Sequence, residues 1–165
     1  MRVLRLILAT GLAIAVQTTV DRWFAGGRLA VDLVLVMTVY TALSSGPVAG
    51  IVTGSFAGLV QDALSGGVLG MAGLSKTVVG YLAGVVGAQF ILVQMPARFV
   101  VFFVSTLLNA ALFVGGYEAL GLRHFATPWA LVVGQALGNA VVGVLLFELA
   151  GFWPRYVARR QARGR

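Results

Sequence analysis

The chain has 165 residues, 59% of them hydrophobic and only 10% charged, with a mean hydropathy of +0.96. A water-soluble domain carries about 25% charged residues, so this composition places the chain in lipid, and its length suits one membrane domain. The absence of cysteine excludes disulfides, cysteine-bound metals and thiol catalysis. The net charge of +7 is concentrated in Arg155, Arg159, Arg160, Arg163 and Arg165, which form a juxtamembrane basic tail and not a nucleic-acid groove.

In chain order, Arg2 and Arg5 precede the apolar run Leu6–Val20, which lacks an Ala-x-Ala cleavage pattern and is predicted to be an uncleaved first span ending near Trp23. Leu33 to Gln61 is a run of 29 residues without a charge, more than one span of about 20 residues and less than two. Ser44-Ser45-Gly46-Pro47 divides it, because serine can cap a helix and proline fits a first helical turn. Two short spans, Leu29–Leu43 and Pro47–Leu64, are therefore expected to meet at a tight turn. Ser65–Ala72 reads as a glycine-rich connection, Gly73–Gln94 as the fourth span, and Pro96–Leu120 as the fifth. Thr127-Pro128 opens a sixth that runs to Trp153-Pro154. The expected organisation is a six-helix transmembrane domain over 1–153 and a basic cytoplasmic tail over 154–165. Arg2, Arg5, Arg98 and the five tail arginines outweigh Arg22, Arg28, Lys76 and Arg123, which places both termini in the cytoplasm.

Glycine spacing predicts how the helices pack. Gly46, Gly50, Gly54 and Gly58 recur every fourth residue, and Gly80 and Gly84 repeat the device on the next span. Such a stripe costs roughly 1 kcal/mol per glycine against alanine, but it lets membrane helices approach backbone to backbone. Asp62 and Lys76 fall at facing helix ends where each opposes the local dipole, so they are expected to pair with each other, with an ion or partner site at Asp62 as the alternative. Asn109 and Asn139 are level near the middles of the last two spans, and Glu148 has Arg98 as a candidate partner. Small residues on the outer spans, Ala9 and Ala13 on the first and Gly134 and Gly138 on the sixth, are the candidate partner interface; Gly143 is left available with them.

Catalytic chemistry finds little support. His124 is the single histidine, in a short loop with no second histidine or cysteine to complete a metal site. Ser65 has no histidine beside it, and Gly66–Gly73 lacks the Gly-Lys-Ser/Thr ending of a phosphate loop. No cofactor is implied, and the chain reads as a non-enzyme.

Val31-Asp-Leu-Val-Leu-Val-Met, Gly46-Pro-Val-Ala-Gly50, Gly58-Leu-Val-Gln-Asp62, Ser65-Gly-Gly-Val-Leu-Gly70 and Lys76-x-x-x-Gly-Tyr81 together resemble the MreD family of rod-shape-determining membrane proteins. The chain departs from that family at Ser44-Ser45, where its members often carry basic residues. The resemblance implies an all-α integral membrane protein of the bacterial inner membrane, a compact bundle of six transmembrane helices. Its fold would be like that of the substrate-binding subunit of energy-coupling-factor transporters. It further implies a scaffold that binds MreC and joins an elongation complex with MreB, RodA and a class-B transpeptidase. Asp62, Ser65, Gly66, Gly70 and Lys76 carry over as motif positions, with no catalytic residue among them. A vitamin-binding transporter subunit is the alternative, suggested by Ala9-x-x-x-Ala13 on the first span.

Overall fold

A computed structural model describes residues 9–17, 19, 31–90, 94–121 and 129–163, with side chains described as far as residue 150. All regular structure among the described residues is helical. Helix α1 covers 9–17, and it is followed by α2 (Leu33–Ser45), α3 (Pro47–Ser65), α4 (Met71–Gln89), α5 (Met95–Ala119) and α6 (Trp129–Arg163). Among the described residues four helices are long and apolar enough to cross a membrane: α3, α4, α5 and the Trp129–Ala150 part of α6.

The centre of the bundle is α2, its shortest complete helix. Eight of its 13 residues are buried, including Val34, Leu35, Val36 and Val39. A helix apolar on all sides is enclosed either by lipid or by other helices, and here it is helices, since α2 touches α3, α4, α5 and α6. The main core gathers around it: Leu35, Val36, Val39 and Ala42 meet Val79 and Ala83 of α4, Phe102 of α5 and Ala140 of α6. At about 1.5 Å per residue α2 is about 20 Å long, well short of a hydrocarbon core of about 30 Å. Its two buried threonines return their hydroxyls to the helix, Thr38 donating to the Val34 carbonyl and Thr41 to that of Met37, each at 2.9 Å.

Between α2 and α3 the chain turns at Gly46, whose φ of +93° is left-handed-side backbone that only glycine adopts cheaply. Gly46 is also the N-cap of α3, with no side-chain cap, while the Ser44 hydroxyl donates back to the Thr41 carbonyl. The expected serine cap is thus replaced by a glycine turn followed by Pro47. Gly46 leaves the packing stripe for the same reason, since an added Cβ there meets nothing within 4 Å.

The rest of the stripe forms the most extensive helix contact in the bundle, α3 against α4. An added Cβ at Gly50 runs into the Gly80 carbonyl, at Gly54 into the Lys76 carbonyl, and at Gly84 into Pro47. At Gly58 it would stand 2.5 Å from the Gly73 Cα. The Ser55 and Thr77 hydroxyls are hydrogen-bonded at 2.7 Å across the same seam. Backbones this close leave no space for side chains, which is how glycine serves membrane helix pairs. The outward side of α3 presents Val48, Val52 and Phe56, all exposed.

Three expectations about the outer helices are corrected. Ala13 is buried, packed into the bundle by the turn of α1 that also buries Ile14 and Gln17. Gly143 faces inward, where an added Cβ would come 2.5 Å from the Phe102 ring. The backbone stays helical through Pro154 to Arg163, because a proline removes one amide donor without having to end the helix. By contrast α4 stops early, at Gln89 with Phe90 as an extended C-cap, and not at Gln94.

Candidate functional site

The polar residues gather at one end of the bundle, where two buried helix N-termini lie side by side. A helix begins with about four amide groups that have no partner inside the helix, and burial makes leaving them unmet costly. At α2 three side chains answer this need. The Asp32 carboxylate accepts from Leu35 N at 2.9 Å, Gln17 Oε1 of α1 accepts from Leu33 N at 3.0 Å, and Asn139 Oδ1 of α6 accepts from Asp32 N at 2.7 Å. Asn139 in turn donates to the Thr106 hydroxyl at 3.0 Å, and Thr106 donates to the Phe102 carbonyl at 2.9 Å. A single hydrogen-bonded chain therefore ties α2 to α6 and α5.

At α4 a single carboxylate does the same work. Asp62, near the end of α3, accepts from the backbone N–H groups of Gly70 at 2.9 Å, Ala72 at 3.0 Å and Gly73 at 3.3 Å. An acid at a helix N-terminus is favoured by the helix dipole as well as by these bonds. Gly66, with φ +66°, closes α3 in the left-handed conformation that lets the chain double back so soon after Asp62. The Ser65 hydroxyl donates to the Asp62 carbonyl at 3.3 Å, and Tyr117 of α5 accepts from Val68 N at 3.1 Å. Ser65 thus helps finish α3, and Gly70 supplies the αL N-cap of α4.

Lys76 does not pair with Asp62. Its Nζ lies 2.8 Å from Asp32 Oδ2, with side-chain exposures of 4% and 10% for Lys76 and Asp32. The reason is geometric: Asp62 is already committed to the α4 amides, and the Asp32 carboxylate, which caps α2 through Oδ1, leaves Oδ2 free to take the ammonium. Asp32 is the functional residue that the candidates from sequence lacked. The signal was an aspartate immediately before an apolar run, which marks an N-cap.

The other polar candidates separate. Asn139 sits in the network, whereas Asn109 Oδ1 is closed off from solvent without a hydrogen-bond partner, as is Gln61 Oε1. An unmet buried polar atom costs about 1–3 kcal/mol. Both residues line a cavity of ≈ 370 Å³ to which α1, α3, α4, α5, α6 and the Asp32 cap of α2 contribute, among them Gln17, Asp62, Lys76 and Gln135. Glu148 lies elsewhere, on α6, where Arg98 Nη1 of α5 meets it at 2.9 Å and the guanidinium stacks 4.8 Å from the Phe147 ring centre. No group of three histidine, cysteine or acidic residues among the described residues is placed to hold a metal. His124 lies outside the described residues.

The profile of a family described as rod shape-determining protein MreD matches residues 1–152. The chain belongs to the MreD family. No curated protein and no solved structure matches it. The MreD match takes in every residue of the polar end, from Gln17 to Asn139, as well as the α3–α4 seam and the Arg98–Glu148 pair. Membership makes the chain a membrane protein of the cell-shape machinery, in keeping with its four long apolar helices.

Proposed function

We propose that this MreD-family chain is a non-enzymatic scaffold of the bacterial cell-elongation complex, in which it binds a single-span MreC-like protein. Through that protein it is linked to MreB, RodA and a class-B transpeptidase that build peptidoglycan. The observation that carries the reading is the family match across 1–152. The polar end supports it from the chemical side, because Asp32, Asp62, Lys76 and Asn139 are all engaged in closing helix ends or bridging helices. The bundle is read as six spans in the inner membrane, folded like the substrate-binding subunit of an energy-coupling-factor transporter, with both termini and the 154–165 tail cytoplasmic. The basic asymmetry of the sequence supports that orientation, and it puts the polar end on the outer side.

The partner surface is assigned to small residues that face outward. Gly11 and Gly134 are exposed with nothing within 4 Å of an added Cβ, Ala15 is exposed one turn after Gly11, and Ala9 and Gly138 are half-buried beside them. Ala13 is withdrawn from that surface because it is buried. Affinity capture of an MreC-like partner by the tagged chain tests the reading. Capture by the wild type and its loss in Gly11→Leu or Gly134→Leu, with insertion unchanged, is the expected result. Undiminished capture by both variants moves the interface elsewhere, and no capture by the wild type sinks the scaffold reading.

A further inference from the structure

Three carboxamide side chains at the polar end neither close a helix nor bridge two: Gln61 of α3, Asn109 of α5 and Gln135 of α6. All three are half-buried and line the cavity of ≈ 370 Å³. The oxygens of Gln61 and Asn109 are shut off from solvent, so what these two amides turn to the cavity is the NH2 side; at Gln135 neither atom is shut off. Ser65, on the same wall, donates its hydroxyl proton to the Asp62 carbonyl and keeps its oxygen lone pairs. The formal charges of the described wall are met inside the protein, Asp32 and Lys76 by each other and Asp62 by the amides of Gly70, Ala72 and Gly73. A charge on the occupant would therefore lose its hydration without gaining a partner. What the wall offers is hydrogen bonding of both senses beside the apolar Phe113 and Val114. Its volume lies in the range of small-molecule sites, about 300–1,000 Å³. A second recess, between α5 and α6, shares Ala110, Val114 and Val132 with the cavity, and its rim at Gly115 and Trp129 is exposed on the side of the bundle.

From this wall we infer that the cavity binds a neutral sugar ring, whose hydroxyls accept from the Gln61 and Asn109 amides and donate to Gln135. A hydroxyl both donates and accepts, so one kind of group answers every free polar group on the wall. The C–H faces of the ring suit the apolar remainder. Two sources present this chemistry: a free sugar, or the headgroup of a glycolipid reaching in past the α5–α6 recess. The inference does not depend on the scaffold reading, since it concerns the free chain.

The test uses the full-length chain purified in lauryldimethylamine oxide, a detergent without hydroxyl groups that could compete, with radiolabelled glucose as the probe in equilibrium dialysis. Dialysis reads binding directly, whereas heat stability would also register the general stabilisation that sugars give by exclusion from protein surfaces. Saturable binding of glucose is expected. Glucuronate and glucosamine, the same ring with an acid or an ammonium, should both compete more weakly than unlabelled glucose. Gln135→Leu and Asn109→Leu should each weaken glucose binding about 3- to 10-fold, the loss of one neutral hydrogen bond. If one variant fails to insert, the other decides, and the charged sugars decide without either. In phosphatidylcholine nanodiscs, a higher melting temperature with monoglucosyl diacylglycerol than with diacylglycerol, abolished by the two leucine variants, assigns the headgroup as the source, by the linkage of binding to folding. Binding of free glucose without that response assigns a soluble sugar. Tighter binding of either charged sugar than of glucose, binding that survives both variants, or no response to glucose or to the glucosyl lipid overturns the inference.

Discussion

Removing one partner of the Asp32–Lys76 pair should destabilise the bundle far more than removing both. Lys76→Met keeps the length of the side chain and leaves Asp32 buried with its charge unpaired; Asp32→Asn leaves Lys76 in the same state while its amide oxygen can still accept from Leu35 N. Breaking a buried pair by one partner costs about 3–5 kcal/mol, whereas replacing both with neutral groups is often close to harmless. The adjoining cavity gives water a route to a lone charge, so each single change is expected near the lower end, about 3 kcal/mol. The double variant should be no worse than either single one, which gives a coupling of about 3 kcal/mol. Equilibrium unfolding in mixed micelles across the four proteins measures it. The same cycle with Asp62→Asn and Lys76→Met should show less than about 1 kcal/mol, because Asp62 works through the α4 amides and not through Lys76. A larger coupling at Asp62 than at Asp32 would refute the assignment.

The other predictions concern packing, topology and the outer helices. Gly54→Leu should prevent stable accumulation of the protein, because even its first carbon meets the Lys76 carbonyl, whereas Gly134→Leu should accumulate normally; immunoblots of membrane fractions compare them. Ala13→Leu should now behave like a core lesion costing about 1–3 kcal/mol by overpacking, read as a lower melting temperature. Reporter fusions at Gly66 and at the C-terminus should report opposite sides of the membrane, and agreement between them would overturn the six-span topology. Glu148→Gln should change stability by no more than about 1 kcal/mol, since that carboxylate is 45% exposed.

The α3–α4 hairpin was legible because glycine every fourth residue has one strong physical meaning in lipid, and Pro47 fixed where α3 begins. The centrality of α2 was not. A 13-residue apolar helix looks the same in sequence whether lipid or protein surrounds it, and only the assembled bundle shows burial on all its faces. Local dipole reasoning correctly found Asp62 and Lys76 uncomfortable in their own helices but paired them with each other. The amides that Asp62 satisfies and the carboxylate that Lys76 meets belong to neighbouring helix starts, and that arrangement is a fact of tertiary structure. Asn139 stood out as a polar residue within an apolar span, but its partners did not, since Asp32 lies 107 residues away in sequence and Thr106 is on another helix. Small residues were equally ambiguous: Gly134 and Gly143 share one helix, yet one faces out and the other faces Phe102.

Deletion of the gene for this chain in its own host tests the proposed scaffold role most directly, with cell length-to-width ratio as the readout. The account predicts that the cells widen and round up, and that rod shape returns with the wild-type chain and with Glu148→Gln but not with Gly54→Leu. Cells that keep their width and length without the chain would contradict it.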